Sequence, residues 1–132
     1  MIFMLDTNII IYAKNKNPDG VLEKLMHYSP SDLCISVITM AELEYGACKS
    51  SRPEKNRAAL LEFLSEIQVV PFSLEAAREY GVIRSSLEKQ GTLIGGNDML
   101  IAAHAKSLNL ILVTNNQREF ERINGLKLEN LV

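Results

Sequence analysis

Three acids stand where polar residues break apolar runs: Asp6 after the run at 2–5, Glu42 beyond Leu33-Cys34-Ile35, and Asp98 after Gly95-Gly96-Asn97. Asp6 lies between two apolar segments, at the edge of any core they form. A carboxylate there needs hydrogen-bond partners or a cation to offset its desolvation, although Asp is also an ordinary turn residue at a strand end. Glu42 has two readings. Thr39-Met40-Ala41-Glu42 fits a capping box, whereas a helix begun near Ser36 carries Glu42 into its second turn, too far in to cap. Asp98 follows Asn97, a good N-cap type, and an acid in a first turn gains from the helix dipole. Carboxylates gathered in one place repel, and folding alone gives no reason to gather them. A divalent cation removes the repulsion. Magnesium takes oxygen ligands at about 2.0–2.1 Å and keeps several waters, and such a centre can activate water and shield phosphate charge.

The remaining polar residues carry less. His104, six positions after Asp98, reads as a packed histidine. Asn115 and Asn116 fit a turn, and Arg118 and Glu119 a solvated helix face. Lys14, Lys16, Lys49, Arg52, Arg84, Lys89, Arg118 and Arg122 are scattered and form no run. Cys34 and Cys48 sit in segments that read as buried core. With no CxxC pair and only His27 and His104 as histidines, a zinc site is not expected.

The elements that must position the acids follow from apolar periodicity. Strands are expected at 2–5, 33–35, 69–72 and 110–113, with an edge strand within 126–131. Helices are expected at 9–13, 21–26, 36–49, from Pro53 onward with Ala59, Leu60, Phe63, Leu64 and Ile67 on one face, at 74–90, at 97–108 and at 117–123. Residues 15–20 form a loop. Gly91 is the left-handed cap of the 74–90 helix, whose stripe runs near Ala77, Tyr80, Gly81, Ile83, Arg84 and Leu87. Asn109 is a terminator. Continuous apolar strands alternating with helices predict an α/β sandwich with a mostly parallel sheet. In such sheets ligands collect outside the carboxyl ends of the strands, which is where Asp6-Thr7-Asn8, the 36–42 segment and Thr114-Asn115-Asn116 fall.

At 132 residues, a single domain spanning 1–132 is expected. The longest apolar run, 9–13, is far short of a membrane span, and Asp6 interrupts the N-terminal apolar stretch, so a cytoplasmic protein is expected. The net charge of −2 gives no bulk attraction for nucleic acid, and any RNA substrate must meet local cations.

Four stretches occur in family order: Met4-Leu5-Asp6-Thr7-Asn8-Ile9, Ile35-Ser36-Val37-Ile38-Thr39-Met40-Ala41-Glu42-Leu43, Asn97-Asp98-Met99-Leu100-Ile101-Ala102-Ala103-His104-Ala105 and Leu112-Val113-Thr114-Asn115-Asn116. Together they resemble the PIN-domain ribonuclease toxins of the VapC family, over nearly the whole chain. Any one motif is weak, but four at family spacing are strong. The resemblance implies a three-layer α/β/α sandwich, a metal-dependent endoribonuclease, a VapB-type antitoxin partner and a homodimer. By position it implies Asp6, Glu42 and Asp98 as the catalytic acids, with Asp6 and Asp98 contacting Mg2+ (or Mn2+) and Glu42 handling the attacking water. Thr7, Asn8, Thr114 and Asn116 would support the acids or the phosphate. Many PIN domains carry a further Asp where this chain has Asn116, and Glu119, one helical turn on, is a candidate replacement. Related toxins often cut tRNA, notably initiator tRNA. Two alternatives are a non-catalytic PIN module for RNA or protein binding, and an aspartate-based phosphatase or receiver domain. The phosphatase pattern wants a second Asp where this chain has Asn8.

Overall fold

The central strands alternate between two buried faces, and that alternation builds the molecule. The computed structural model describes residues 1–16 and 20–131. Strands β1 (Phe3–Leu5), β2 (Leu33–Ser36), β3 (Gln68–Val70), β4 (Ile111–Val113) and β5 (Lys127–Glu129) form one sheet in the order β3-β2-β1-β4-β5, and every neighbouring pair is parallel. Met4 lies in register with Cys34 on one side and Leu112 on the other. These three turn toward α5 (Leu74–Gln90) and α6 (Gly96–Ser107), joining Ile83, Leu87, Met99 and Ile101 in one core cluster. Leu5, Ile35 and Val113 turn the opposite way. They meet Ile9, Ile10 and Ala13 of α1 (Thr7–Asn15), Val21 and Leu25 of α2 (Val21–Met26), Leu43 of α3 (Val37–Cys48) and Leu60 of α4 (Pro53–Phe63). Burying each Leu or Ile on these faces contributes roughly 1.5–3 kcal/mol. The expected three-layer sandwich is therefore present, and its sheet is wholly parallel.

The strand order sets where a ligand can bind. The chain steps outward from β1 to β2 to β3, then crosses back over β1 to β4 and continues to β5. The helix after β1 packs in the α1–α4 layer. Phe120 of α7 (Gln117–Phe120), the helix after β4, belongs to the opposite cluster. The connections thus diverge at the β1/β4 boundary and leave a crevice at the carboxyl ends, the usual ligand position in a doubly wound sheet.

Local chemistry fixes most helix ends. Ser73 Oγ accepts from the Ala76 amide at 3.1 Å to start α5, and Gly91 at φ 67° ends it, as expected. Pro53 opens α4. Asn109 lies at φ 56°, consistent with its role as a terminator after α6. Other expectations need correction. The first helix starts at Thr7 because Asp6 caps it. Helix α4 stops at Phe63, so Ile67 is not on it, and Ala59 faces solvent. On α5 the buried residues are Ala76, Ile83 and Leu87, while Ala77, Gly81 and Arg84 are exposed. Strand β3 ends at Val70, which frees Phe72 to pack edge-on against His104. Helix α7 ends at Phe120, and β5 covers only three of the residues expected in it. Both cysteines are free, but Cys48 is exposed rather than core, since it falls off the buried Thr39-Leu43-Ala47 stripe of α3. The loop expected at 15–20 falls partly on 17–19, outside the described residues. Among the described residues, no helix is long and apolar enough to cross a membrane.

Candidate active site

Asp6 leaves β1 at the crevice with only 4% of its surface exposed. Its Oδ1 accepts from the Ile9 amide at 2.9 Å and so caps α1, which fixes the carboxylate's orientation. Burial is the main cause that pushes its pKa up, from 3.8 to about 6. The Thr114 hydroxyl and the Ile9 amide oppose the rise, and the negative charges of Asp98 and Glu42 add to it. The bland role of the residue, a helix cap, is therefore real. It coexists with a carboxylate that two other acids repel, which capping does not require.

Glu42 is the sixth residue of α3. The helix is capped by Ser36, whose Oγ accepts from the Ile38 amide at 3.0 Å, and Thr39 is fully buried within the helix. The capping-box reading of Thr39 and Glu42 does not hold in this geometry. Glu42 Oε1 instead accepts a 2.6 Å hydrogen bond from the Thr7 hydroxyl, whose oxygen lies 3.2 Å from Thr39 Oγ1. That bond ties the first turn of α1 to α3 and holds the carboxylate at the crevice.

Asp98 is the third residue of α6. The N-cap is Gly95, not Asn97 as expected, with no side-chain cap bond. A Cβ built on Gly95 would come within 3.4 Å of Asp98 Oδ2, so the glycine gives the carboxylate room. The pKa of Asp98 is also raised, first by burial and then by the charges of Glu42 and Glu119. Glu119 is thus within electrostatic reach of the acids, and Asn116 Nδ2 donates to its Oε2 at 3.1 Å. Asn116 and Glu119 form one unit, the amide holding the carboxylate. Thr114 is fully buried, and its Oγ1 accepts from the Asn116 amide at 2.9 Å.

Asp6, Thr7, Asn8, Glu42 and Asp98 line one cleft of about 770 Å³ at the carboxyl ends of the strands. None of Asp6, Glu42, Asp98 and Glu119 takes part in the ion pairs found among the described residues, which join Arg57 to Glu44, Arg84 to Glu88 and Lys106 to Glu79. Nor, among the described residues, do three or more His, Cys, Asp or Glu side chains close on one point tightly enough to cage an ion by themselves. An all-oxygen donor set of mutually repelling, uncompensated acids fits a hard divalent cation that keeps part of its water and uses one or two carboxylates.

Two contacts escaped sequence reasoning. One is the Thr7–Thr39–Glu42 relay. The other is a 2.7 Å hydrogen bond between Ser36 Oγ and Nδ1 of His104, which joins the start of α3 to α6 across the layers. His104 is fully buried, and desolvation pushes its pKa down, against the opposing influence of the Pro71 carbonyl. It is a packed histidine, as its surroundings in the sequence indicated.

Comparison with known proteins agrees with this architecture. The PIN domain family profile matches residues 3–126. Ribonuclease VapC2 of Rickettsia felis is 47% identical, over 98% of both chains. A tRNA(fMet)-specific endonuclease VapC of Shigella flexneri is 46% identical, over 97% of this chain and 96% of its own. The toxin chain in a DNA-bound VapBC complex from Salmonella typhimurium superposes with a TM-score of 0.93 at 43% identity, covering 100% of this chain and 99% of that one. The chain belongs to the PIN-domain family and, within it, to the VapC ribonuclease toxins. It is a nuclease, which displaces the phosphatase and non-catalytic alternatives.

Proposed function

We propose that this chain is a magnesium-dependent endoribonuclease that cuts structured RNA, and that its target is a tRNA of the initiator type. The observation that carries the reading is the buried Asp6 carboxylate at the β1/β4 crevice, within electrostatic reach of both Glu42 and Asp98. Support for the substrate comes from the relatives of Shigella flexneri and Salmonella typhimurium, both named tRNA(fMet)-specific endonucleases. Asp6 and Asp98 would hold the ion, and magnesium there would polarise the scissile phosphate and lower the pKa of water. Glu42, steadied by the Thr7 hydroxyl, accepts the proton of the attacking water. The Ile9 amide and Thr114 orient Asp6. Asn116 keeps Glu119 beside Asp98, standing in for a fourth acid. Asn8, exposed at the cleft, would support the acids or the phosphate.

The chain acts in the cytoplasm as one PIN-like domain. It is restrained by a VapB-type antitoxin, in keeping with the VapBC complexes it resembles. It works as a homodimer, for which the exposed Leu61 on α4 offers apolar surface. The test is incubation of purified protein with total tRNA and magnesium, followed by mapping of new 5′ ends. Cleavage at one site in initiator tRNA, abolished by excess chelator and restored by magnesium or manganese, is expected. Undiminished cleavage in chelator would remove the metal from the mechanism, and cuts spread over all tRNAs would remove the target.

A further inference from the structure

The acidic cleft poses an electrostatic problem that its own walls answer. Phosphates must approach three carboxylates on a chain of net charge −2, and among the described residues the one basic residue lining the cleft is Lys49. Lys49 caps the end of α3, takes part in none of the ion pairs among the described residues, and sets its Nζ 4.9 Å from the centroid of the Tyr45 ring. Tyr45 lines the same cleft, is 66% exposed and belongs to neither core cluster. Its ring is therefore largely exposed to water, with the ammonium over it. Glu42, Tyr45, Gly46 and Lys49 follow at i, i+3, i+4 and i+7, a single helical face about 10 Å long. Gly46 leaves a gap on that face, because a Cβ built there meets nothing within 4 Å.

We propose that Tyr45, Gly46 and Lys49 form a nucleotide subsite beside the acids. An unpaired base of the substrate RNA stacks on the Tyr45 ring, over the space left by Gly46, and Lys49 takes a phosphate of the same strand. Aromatic stacking suits a base because every base has a π-face, and it selects single-stranded RNA over paired RNA, whose bases are already stacked. The cation supplies locally the attraction that the chain's overall charge lacks. The subsite accounts for an exposed aromatic at a cleft rim that has no packing role in the fold, and it rests on the nuclease reading given above.

The probe is a fluorescein-labelled single-stranded oligoribonucleotide and its singly abasic counterparts. Binding is read by polarisation in magnesium with the Glu42→Gln protein, so that the probe stays intact. If it is cut nonetheless, the half-saturating probe concentration for cleavage replaces the polarisation reading. Adding Tyr45→Ala is expected to weaken binding roughly tenfold and to erase the preference for the base-bearing probe, while Tyr45→Phe retains both. Lys49→Ala should lower the slope of log affinity against log salt by about 0.7, with Lys89→Ala on α5 as the charge control. Gly46→Leu should lose binding while melting no lower than the parent, since glycine is the poorer helix former. Normal base preference in Tyr45→Ala overturns the proposal, even if the parent enzyme cleaves tRNA as expected. So does a Tyr45→Ala protein that binds RNA normally but no longer holds its antitoxin, which would make this face a protein interface. A parent that neither binds nor cuts RNA overturns the nuclease reading along with the subsite.

Discussion

Replacing Asp6 by Asn is expected to make the metal-free protein more stable while disabling it. Asp6 holds its proton up to about pH 6 in the folded chain, against an ordinary value of 3.8. The folded state therefore binds that proton more tightly than the unfolded one, and stability falls as pH rises from 3.8 through 6, then levels off. At about 1.36 kcal/mol per pH unit, the ionised Asp6 costs the metal-free fold about 3 kcal/mol at pH 7 and about 1 kcal/mol near pH 4.5. Asn keeps the cap, because its Oδ1 can accept from the Ile9 amide as Asp does, and it carries no charge for Asp98 and Glu42 to repel. Urea unfolding in excess chelator should thus show Asp6→Asn more stable than the parent by up to about 3 kcal/mol at pH 7, with the gap narrowing to about a third near pH 4.5. Magnesium should then raise the parent's midpoint and leave the variant's nearly unchanged, because only the parent binds the ion through this side chain. A variant less stable than the parent at pH 7 without metal, or a gap independent of pH, would refute the reasoning, since either would mean that the carboxylate is stabilising where it stands.

Glu42→Gln should lower RNA cleavage by roughly 100-fold or more, the usual scale for losing a positioned base, and leave the melting temperature within a few degrees of the parent. A capping role would leave both cleavage and melting nearly unchanged, since Gln caps as Glu does. Burial pushes the Cys34 thiol up to about 11 while Cys48 is exposed, so a thiol reagent at pH 8 should label one cysteine in the native protein and two in denaturant. Sedimentation of the toxin alone at micromolar concentration should give twice the 14.8 kDa chain mass, and Leu61→Asp should shift it toward the monomer.

The layers of the fold were legible because Met4/Leu5, Cys34/Ile35 and Leu112/Val113 are pairs of apolar neighbours, the mark of strands buried on both faces. Helix ends were less so. Asp6 and Ser36 cap helices from strand-end positions, so the apolar periodicity set in two residues after the first helix had begun. The three acids were visible as interruptions of apolar runs, but not their convergence, which depends on a strand order that no local pattern encodes. Thr39 looked like a cap and is an interior residue; only the arrival of Thr7 from another helix gives it and Glu42 a shared partner. The exposure of Cys48 depends on which face α3 turns to the core, and its run of apolar types around the helix does not reveal that.

The bond between Ser36 and His104, and the placing of Asp6, Glu42 and Asp98 on three segments that meet only when both helical layers have docked, make the active site a late product of synthesis. A ribosome that has released only the first ninety residues has made two of the three acids and no site. Nor does a proteolytic fragment cut anywhere between Asp6 and Asp98 retain a complete set. Hydrolytic power in this chain therefore waits on the folding that brings all three segments together. A cell making such a nuclease meets its activity only after the last strands have closed, the stage at which a partner binding the finished surface can intercept it.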